Sequence, residues 1–202
     1  DGLGATCFVV VAKVETAGGT SELGLFLVDN AWTGVKTHAT KLADSRNYAQ
    51  LKLVNVRVTE EMCFGVGAAA EKALQIALDK ARICLAAEGL GLLKEAFDRT
   101  NAYLKERIQF DVPIGSFQAV KHQLADIVTK IEFAKPVLYR AANALAQSEA
   151  QKSVRISHAK LACADAGWFA ARKAIQVHGA MGYTWQVDLQ MFMKRAWVLD
   201  AA

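Results

Sequence analysis

The strongest constraint on the fold is a change in residue pattern after Gly65-Val-Gly67. From there onward Ala, Leu, Lys and Glu dominate, and apolar residues recur at intervals of three and four, the period of an α-helix. Only two prolines occur in the chain, so little interrupts this pattern. The periodicity predicts a bundle of four helices, at about 68–107, 117–147, 154–179 and 187 to the end.

The predicted helix ends have their own residue chemistry. The run Asp111-Val-Pro-Ile-Gly115 cannot continue a helix, Ser153 is suited to cap the third helix, and Gly179-Ala-Met-Gly182 ends it. Pro136 predicts a kink or an interruption in the second helix.

The residues before this change have the pattern of short strands. Apolar runs at 7–12, 23–28 and 51–56 are separated by turn-forming residues, and residues 17–20 are typical of a hairpin tip. So small a sheet leaves open edges, and we expect further strands before Asp1. The predicted fold class is α+β, a partial antiparallel β-domain (1–64) followed by an up-down four-helix bundle (65–202).

Composition excludes several classes of protein. Hydrophobic residues make up 53% of the chain and charged residues 22%, as in a packed globular protein. No apolar run approaches the roughly 20 residues of a membrane crossing. The formal charge of +4 is too small and too scattered for a nucleic-acid surface. We therefore expect neither a membrane nor a nucleic-acid partner.

Cysteine usage and the first residue bear on location. The residues Cys7, Cys63, Cys84 and Cys163 are far apart and have apolar neighbours, which predicts buried, reduced thiols in a cytoplasmic setting. His178 has no Cys or carboxylate at metal-ligand spacing, so we expect no metal site. Because the chain starts with Asp1 and has no signal-peptide pattern, we expect a fragment or a processed piece.

A first candidate site lies at the exit of the first helix, in Tyr103-Leu-Lys-Glu-Arg-Ile-Gln-Phe110. Arg107 offers paired donors to phosphate oxygens, Phe110 offers a stacking face, and Gln109 offers an amide. Gln118 opens the next helix. The alternative is an ordinary interhelical loop, since an exposed Arg beside a turn is common.

A second candidate site is Gln176-Val-His-Gly-Ala-Met-Gly182. It places the amide of Gln176 one turn before a glycine-interrupted helix end, where a ligand can approach the backbone closely. A simple C-terminal cap is the alternative explanation for glycines at such a place.

Together, in this order and spacing, the two segments resemble the C-terminal half of the acyl-CoA dehydrogenase family of flavoproteins. Pro113-Ile, Phe117-Gln118 and Leu124-Ala-Asp126 extend the first signature, and Tyr183 extends the second. Residues 1–12, 25–28 and 34–35 are similar, more weakly, to the later strands of the family's middle β-domain.

The resemblance implies an FAD enzyme that oxidises the Cα–Cβ bond of an acyl-CoA thioester. A carboxylate removes the α-proton, the flavin accepts the β-hydride, and the electrons pass to electron-transfer flavoprotein. The FAD crosses a subunit interface, so the resemblance implies a homo- or hetero-oligomer, with a tetramer expected. Its ADP portion would be held by Arg107, Gln109, Phe110, Gln118, Gln176, Gly179, Ala180 and Gly182.

Other residues of the bundle also carry expectations. Asp79 and Arg82 resemble substrate-facing residues of the acyl-CoA channel, and their i, i+3 spacing puts them on one helical face. A surface salt bridge within the helix is the alternative. Trp168, Phe169 and Trp185 are expected in the core, and Lys194-Arg195 on a solvated face.

The catalytic carboxylate is harder to assign. In one subgroup of the family it lies on the first bundle helix, where this chain has Ala81; in the commonest subgroup it lies beyond Leu199-Asp-Ala-Ala202. Glu88, two turns after Ala81, is the predicted base. Its alternative is a surface or capping glutamate without a chemical role.

Three interpretations of function stay open. The first is a dehydrogenase, in which the chain is part of a homotetramer or one subunit of a two-chain enzyme. The run from Gly179 to Trp185 resembles actinobacterial pairs that act on steroid side-chain thioesters. A flavin oxidase or monooxygenase of the same fold is the second, and a non-catalytic subunit that supports a partner's flavin is the third.

Overall fold

A computed structural model describes residues 2–15 and 18–202 of the chain. Its strands are β1 (Cys7–Glu15), β2 (Ser21–Asp29), β3 (Val35–Lys41), β4 (Asn47–Leu53), β5 (Cys63–Val66), β6 (Ile108–Gln109) and β7 (Val112–Pro113). Its α-helices are α1 (Ala68–Glu106), α2 (Gln118–Ala146), α3 (Lys152–His178) and α4 (Leu189–Ala201). The chain divides into two compact units, residues 1–78 and 79–202. This division falls inside α1, whereas the sequence predicts a domain boundary at 64/65.

The β unit contains two antiparallel sheets where the sequence predicts one. The order β1-β2-β5 forms the first and β3-β4 the second. β1 pairs with β2 from Cys7 opposite Asp29 to Glu15 opposite Ser21, as expected for a hairpin. Ala17, in the predicted hairpin tip, lies outside the described residues.

Two features of the strand prediction are wrong. The strand predicted at 51–56 is β4, which ends at Leu53, because Asn55 adopts a left-handed backbone conformation with φ +52° that ends the extended conformation. The strand pattern also misses β3. Its sequence, Val-Lys-Thr-His-Ala-Thr-Lys, has too few apolar residues to produce a strand signal, and its partner β4 supplies the pairing.

The helices confirm the predicted bundle. All eight observed ends lie within two residues of the predicted ends. Pro136 lies inside α2, which continues through it. The expected cap by Ser153 is wrong: α3 begins at Lys152, and the Ser153 hydroxyl donates a hydrogen bond to Asp79 of α1 at 2.9 Å.

Small residues on α3 form the centre of the bundle. Cys163, Ala166 and Ala170 are buried against Ala86 and Leu93 of α1. Side chains this small let helix backbones approach closely while the larger residues fill the remaining space. Farther along the same two helices, a second buried cluster joins Ala96 of α1 with Ala174 and Ile175 of α3 and with Leu189 of α4. None of the helices among the described residues is both long and apolar enough to cross a bilayer.

The prediction of four buried cysteines is wrong for three of them. Cys163 is fully buried, but Cys7 and Cys84 are exposed and Cys63 is intermediate. All four are free thiols, as expected. Apolar neighbours in the sequence do not reveal which face of a strand or helix a Cys occupies.

The thiols should therefore differ in reactivity. Burial raises the pKa of Cys163 to about 11, which suppresses its reactive thiolate at neutral pH. We expect iodoacetamide to label Cys7 and Cys84 in the native protein and Cys163 only in urea, as read by peptide mass spectrometry. Equal native labelling of Cys163 and Cys84 would contradict the packing described here.

Candidate functional site

A short hairpin follows α1, where the sequence predicts only a helix break. β6 and β7 pair through Ile108 opposite Pro113 and Gln109 opposite Val112. The two residues at the tip, Phe110 and Asp111, both have positive φ, at +55° and +66°. This is the conformation of a tight type I′ turn, which is uncommon for non-glycine residues and signals a constrained tip. The Phe110 side chain is 87% exposed, so the hairpin holds an aromatic ring in solvent.

Arg107 stands between the helix and the hairpin. Its backbone N–H donates to the carbonyl of Tyr103 at 2.8 Å, and its carbonyl accepts from the N–H of Ile114 at 2.8 Å. The backbone is thus held on both sides while the side chain is exposed. No carboxylate of the described residues pairs with its guanidinium. A fixed, exposed Arg without an acidic partner is available for an anionic ligand.

The two glutamines of this segment are also exposed. Gln109 donates its amide N–H to the carbonyl of Ile108 at 2.7 Å. Gln118 is the first residue of α2, and its Nε2 lies 3.0 Å from Nε2 of His122. No side chain of the N-cap residue bonds the first N–H groups of α2, and such an end of a helix carries partial positive charge. The segment thus presents the guanidinium of Arg107, the side-chain amides of the two glutamines and the positive end of α2.

Gly179 and Gly182 of the second segment have different structural roles. Gly179 ends α3 with φ +60° and ψ −137°, a region that essentially only glycine occupies. Gly182 is buried in the following 3-10 turn, where an added Cβ would lie 2.7 Å from the carbonyl oxygen of Ile175. Gly182 therefore makes room for the backbone of α3. Gln176 and Ala180 remain exposed on either side of the helix end.

One ring contact joins the two segments. The rings of Tyr103 and His178 stack with centroids 4.1 Å apart and planes 16° from parallel. Tyr103 lies one helical turn before Arg107, and His178 lies two residues after Gln176. The contact therefore brings the predicted phosphate-binding residues and the glycine turn to the same end of the bundle.

His178 is held in place from both sides. Its Nδ1 lies 2.8 Å from the carbonyl oxygen of Ala174, so Nδ1 carries the hydrogen in this contact. The side chain is 5% exposed, and this burial lowers the pKa of His178, which favours the neutral ring. The sequence does not indicate this role, because the spacing argument concerns His178 only as a metal ligand.

Asp79 and Arg82 form the pair that their spacing predicts, but with an additional partner. Nη1 of Arg82 lies 3.3 Å from Oδ1 of Asp79, and the Ser153 hydroxyl donates to Oδ2 at 2.9 Å. Asp79 is fully buried, whereas the side chain of Arg82 is 39% exposed. Asp79 thus ties α1 to the first turn of α3, and Arg82 is the member of the pair that can meet a ligand.

Glu88 is paired with a residue predicted to be solvated. Both of its carboxylate oxygens accept from Arg195 of α4, from Nε at 2.7 Å and from Nη2 at 2.8 Å. Arg195 is only 8% exposed, so the expectation of a solvated Lys194-Arg195 face is wrong at this residue. Its burial comes with a partner on another helix, 107 positions away, which a residue-by-residue pattern does not reveal.

The aromatic residues also depart from expectation. Trp185 is 81% exposed and has Nζ of Lys194 4.8 Å from its ring centre, so its assignment to the core is wrong. Trp168 and Phe169 are half-buried and, together with Gln176, line a groove of about 390 Å³ along α3. The guanidinium of Arg172 lies over the ring of Trp168 at 4.6 Å.

Comparisons with known proteins agree with this fold. The family profile described as "Acyl-CoA dehydrogenase, C-terminal domain" matches residues 71–201. Acyl-CoA dehydrogenase IpdE2 of Mycobacterium tuberculosis is 40% identical over 118 residues, 58% of this chain and 35% of its own. The short/branched chain specific acyl-CoA dehydrogenase of Rattus norvegicus mitochondria is 31% identical over 95% of this chain and 45% of its own.

A solved structure gives the same result over the full length. A chain of the ChsE4-ChsE5 complex from Mycobacterium tuberculosis superposes with a TM-score of 0.85 at 27% identity, covering 99% of this chain and 52% of that one. The chain belongs to the acyl-CoA dehydrogenase family and has the fold of its C-terminal part. It spans 35% and 45% of the two curated relatives named above.

The role of Gly182 can be tested with a matched glycine. Gly182→Ala forces a Cβ against the Ile175 carbonyl, and we expect it to lower the free energy of unfolding by about 1–3 kcal/mol. Gly91→Ala, in the interior of α1 with open space around it, should raise that free energy by up to about 1 kcal/mol. Urea unfolding measures both, and equal effects of the two substitutions would refute the close packing at Gly182.

Proposed function

We propose that this chain forms the C-terminal part of an FAD-dependent acyl-CoA dehydrogenase and holds the ADP portion of FAD at the hairpin end of its bundle. The observation that supports this most strongly is the stack of Tyr103 on His178. It joins two segments, each with exposed donors, that lie some 70 residues apart in the sequence (Arg107 to Gln176).

The residues present fit a nucleotide diphosphate. Arg107 would bind the diphosphate oxygens, and the exposed ring of Phe110 would stack on the adenine. Gln109, Gln118 and Gln176 would donate to phosphate or to ring edges, and the exposed backbone from Gly179 to Ala180 would let the nucleotide approach closely. Gly182 would act indirectly, by keeping the turn packed on α3. Bound FAD would accept the hydride removed from the acyl Cβ.

The substrate side of the proposal concerns Arg82. Its half-exposed guanidinium would face the thioester-bearing part of an acyl-CoA, and buried Asp79 would orient it. The expected electron acceptor is electron-transfer flavoprotein, and the expected assembly is a homo- or hetero-oligomer. The structural similarity to a chain of the ChsE4-ChsE5 complex supports a two-chain assembly as one form of it.

A second candidate function is a non-catalytic subunit that supports a partner's flavin. The pairing of Glu88 favours it, since a base at this position would have to give up a hydrogen bond from Arg195 to accept a proton. Ala81, which stands where one subgroup of the family carries its base on this helix, is not an acid. The assignment of Glu88 as the base stays an untested prediction, and its two hydrogen bonds from Arg195 favour a structural role instead.

Removal of the Arg107 guanidinium tests the nucleotide site. In the purified assembly that contains this chain, we expect Arg107→Ala to weaken FAD binding about 10- to 100-fold, because charge-assisted hydrogen bonds to the diphosphate are lost. Fluorescence titration of the FAD-free assembly measures this.

A matched control lies on the same helix. Arg99 is bound within the chain to Glu95 and Asp188, so Arg99→Ala should leave FAD affinity unchanged. Wild-type affinity in Arg107→Ala would refute the proposed site.

Glu88→Gln separates the two roles of that residue. If Glu88 is structural, the substitution lowers the free energy of unfolding by about 1–3 kcal/mol and leaves flavin reduction by acyl-CoA within about twofold. We expect this result. A rate loss above about 100-fold at full FAD occupancy, measured by stopped-flow absorbance, would instead identify Glu88 as the base.

A further inference from the structure

We infer that His178 is a positioning residue for the nucleotide site, acting through Tyr103 to fix the hairpin relative to the glycine turn. The inference rests on the proposed function, because it concerns the same site. It adds a residue that neither touches the proposed nucleotide nor belongs to the catalytic group.

The argument begins with how each half of the site is attached. The hairpin with Arg107 is carried by the last turn of α1, and the glycine turn is carried by the last residue of α3. Both halves lie beyond the ends of their helices, where backbone hydrogen bonding is weakest. Helix packing brings the two ends together, and a contact between the ends themselves would further hold one half relative to the other.

The stack supplies that contact at the required place. Tyr103 is one turn before Arg107, and His178 directly precedes Gly179, so the ring pair lies at the root of both halves. The rings are nearly parallel, at 16°, and 4.1 Å apart, which restricts tilting of either helix end.

The chemistry of His178 explains why an imidazole suits this position. A phenyl ring would stack equally well, but only a ring N–H can be anchored to the Ala174 carbonyl, at 2.8 Å. The anchor fixes the plane of the His178 ring, and the stack transfers that orientation to Tyr103. Burial lowers the pKa of His178 and so favours the neutral ring, which brings no charge between the helices.

A double-substitution experiment tests the inference on the FAD-free assembly, with ADP as the probe. Tyr103→Ala and His178→Ala should each weaken ADP binding about 10-fold. The double variant should also weaken ADP binding only about 10-fold, because the two substitutions remove the same contact. Tyr103→Phe keeps the stack and should bind as wild type. His178→Phe keeps the stack but loses the anchor, and should bind about threefold more weakly; it tests the anchor even if His178→Ala does not fold.

The matched control is Ile156→Ala. Ile156 is fully buried in α3, roughly 33 Å along the helix from His178. The substitution should lower the unfolding midpoint without changing ADP affinity.

The outcomes are distinguishable. The positioning role alone would be overturned if the two losses of ADP affinity were additive in the double variant. It would also be overturned if Ile156→Ala, at the same stability as the ring variants, lost ADP affinity. A wild-type assembly that binds neither ADP nor FAD would overturn the proposed function together with it.

Discussion

The candidate site depends on the packing of α1 against α3. Cys163, Ala166 and Ala170 present so little side chain that the two helices pack closely, and the packing continues to Ala96 of α1 and to Ala174 in the last turn of α3. Both helices end beside each other as a result. The hairpin after α1 and the glycine turn after α3 are therefore neighbours, although they lie far apart in the sequence.

The helices could be predicted from sequence because their signal is local and repeated. Periodicity of three and four, a near absence of proline, and glycines at the ends give boundaries within two residues. β3 could not be predicted, since its polar strand exists through pairing with β4. Arg195 and Trp185 differ from expectation in opposite directions. The charged side chain of Arg195 is buried and hydrogen-bonded to Glu88, 107 positions away, whereas the ring of Trp185 is exposed on a turn.

The two halves of the site could be predicted as segments, but not their connection. Donor residues near helix breaks, together with a family resemblance, predict Arg107 and Gln176 as members of the proposed site. The stack between Tyr103 and His178 depends on helix packing over the length of the bundle, and no spacing within either segment encodes it. The positive φ of Phe110 likewise follows from strand pairing around the tip.

The central claim is that both segments bind one nucleotide together. Hydrogen exchange of the assembly with and without FAD, read by mass spectrometry, tests this most directly. FAD should slow exchange in peptides from 107–118 and from 176–184 to a similar extent, and leave peptides around Asp79 and Ser153 unchanged. Slower exchange in only one of the two segments, or in neither, would contradict a shared site.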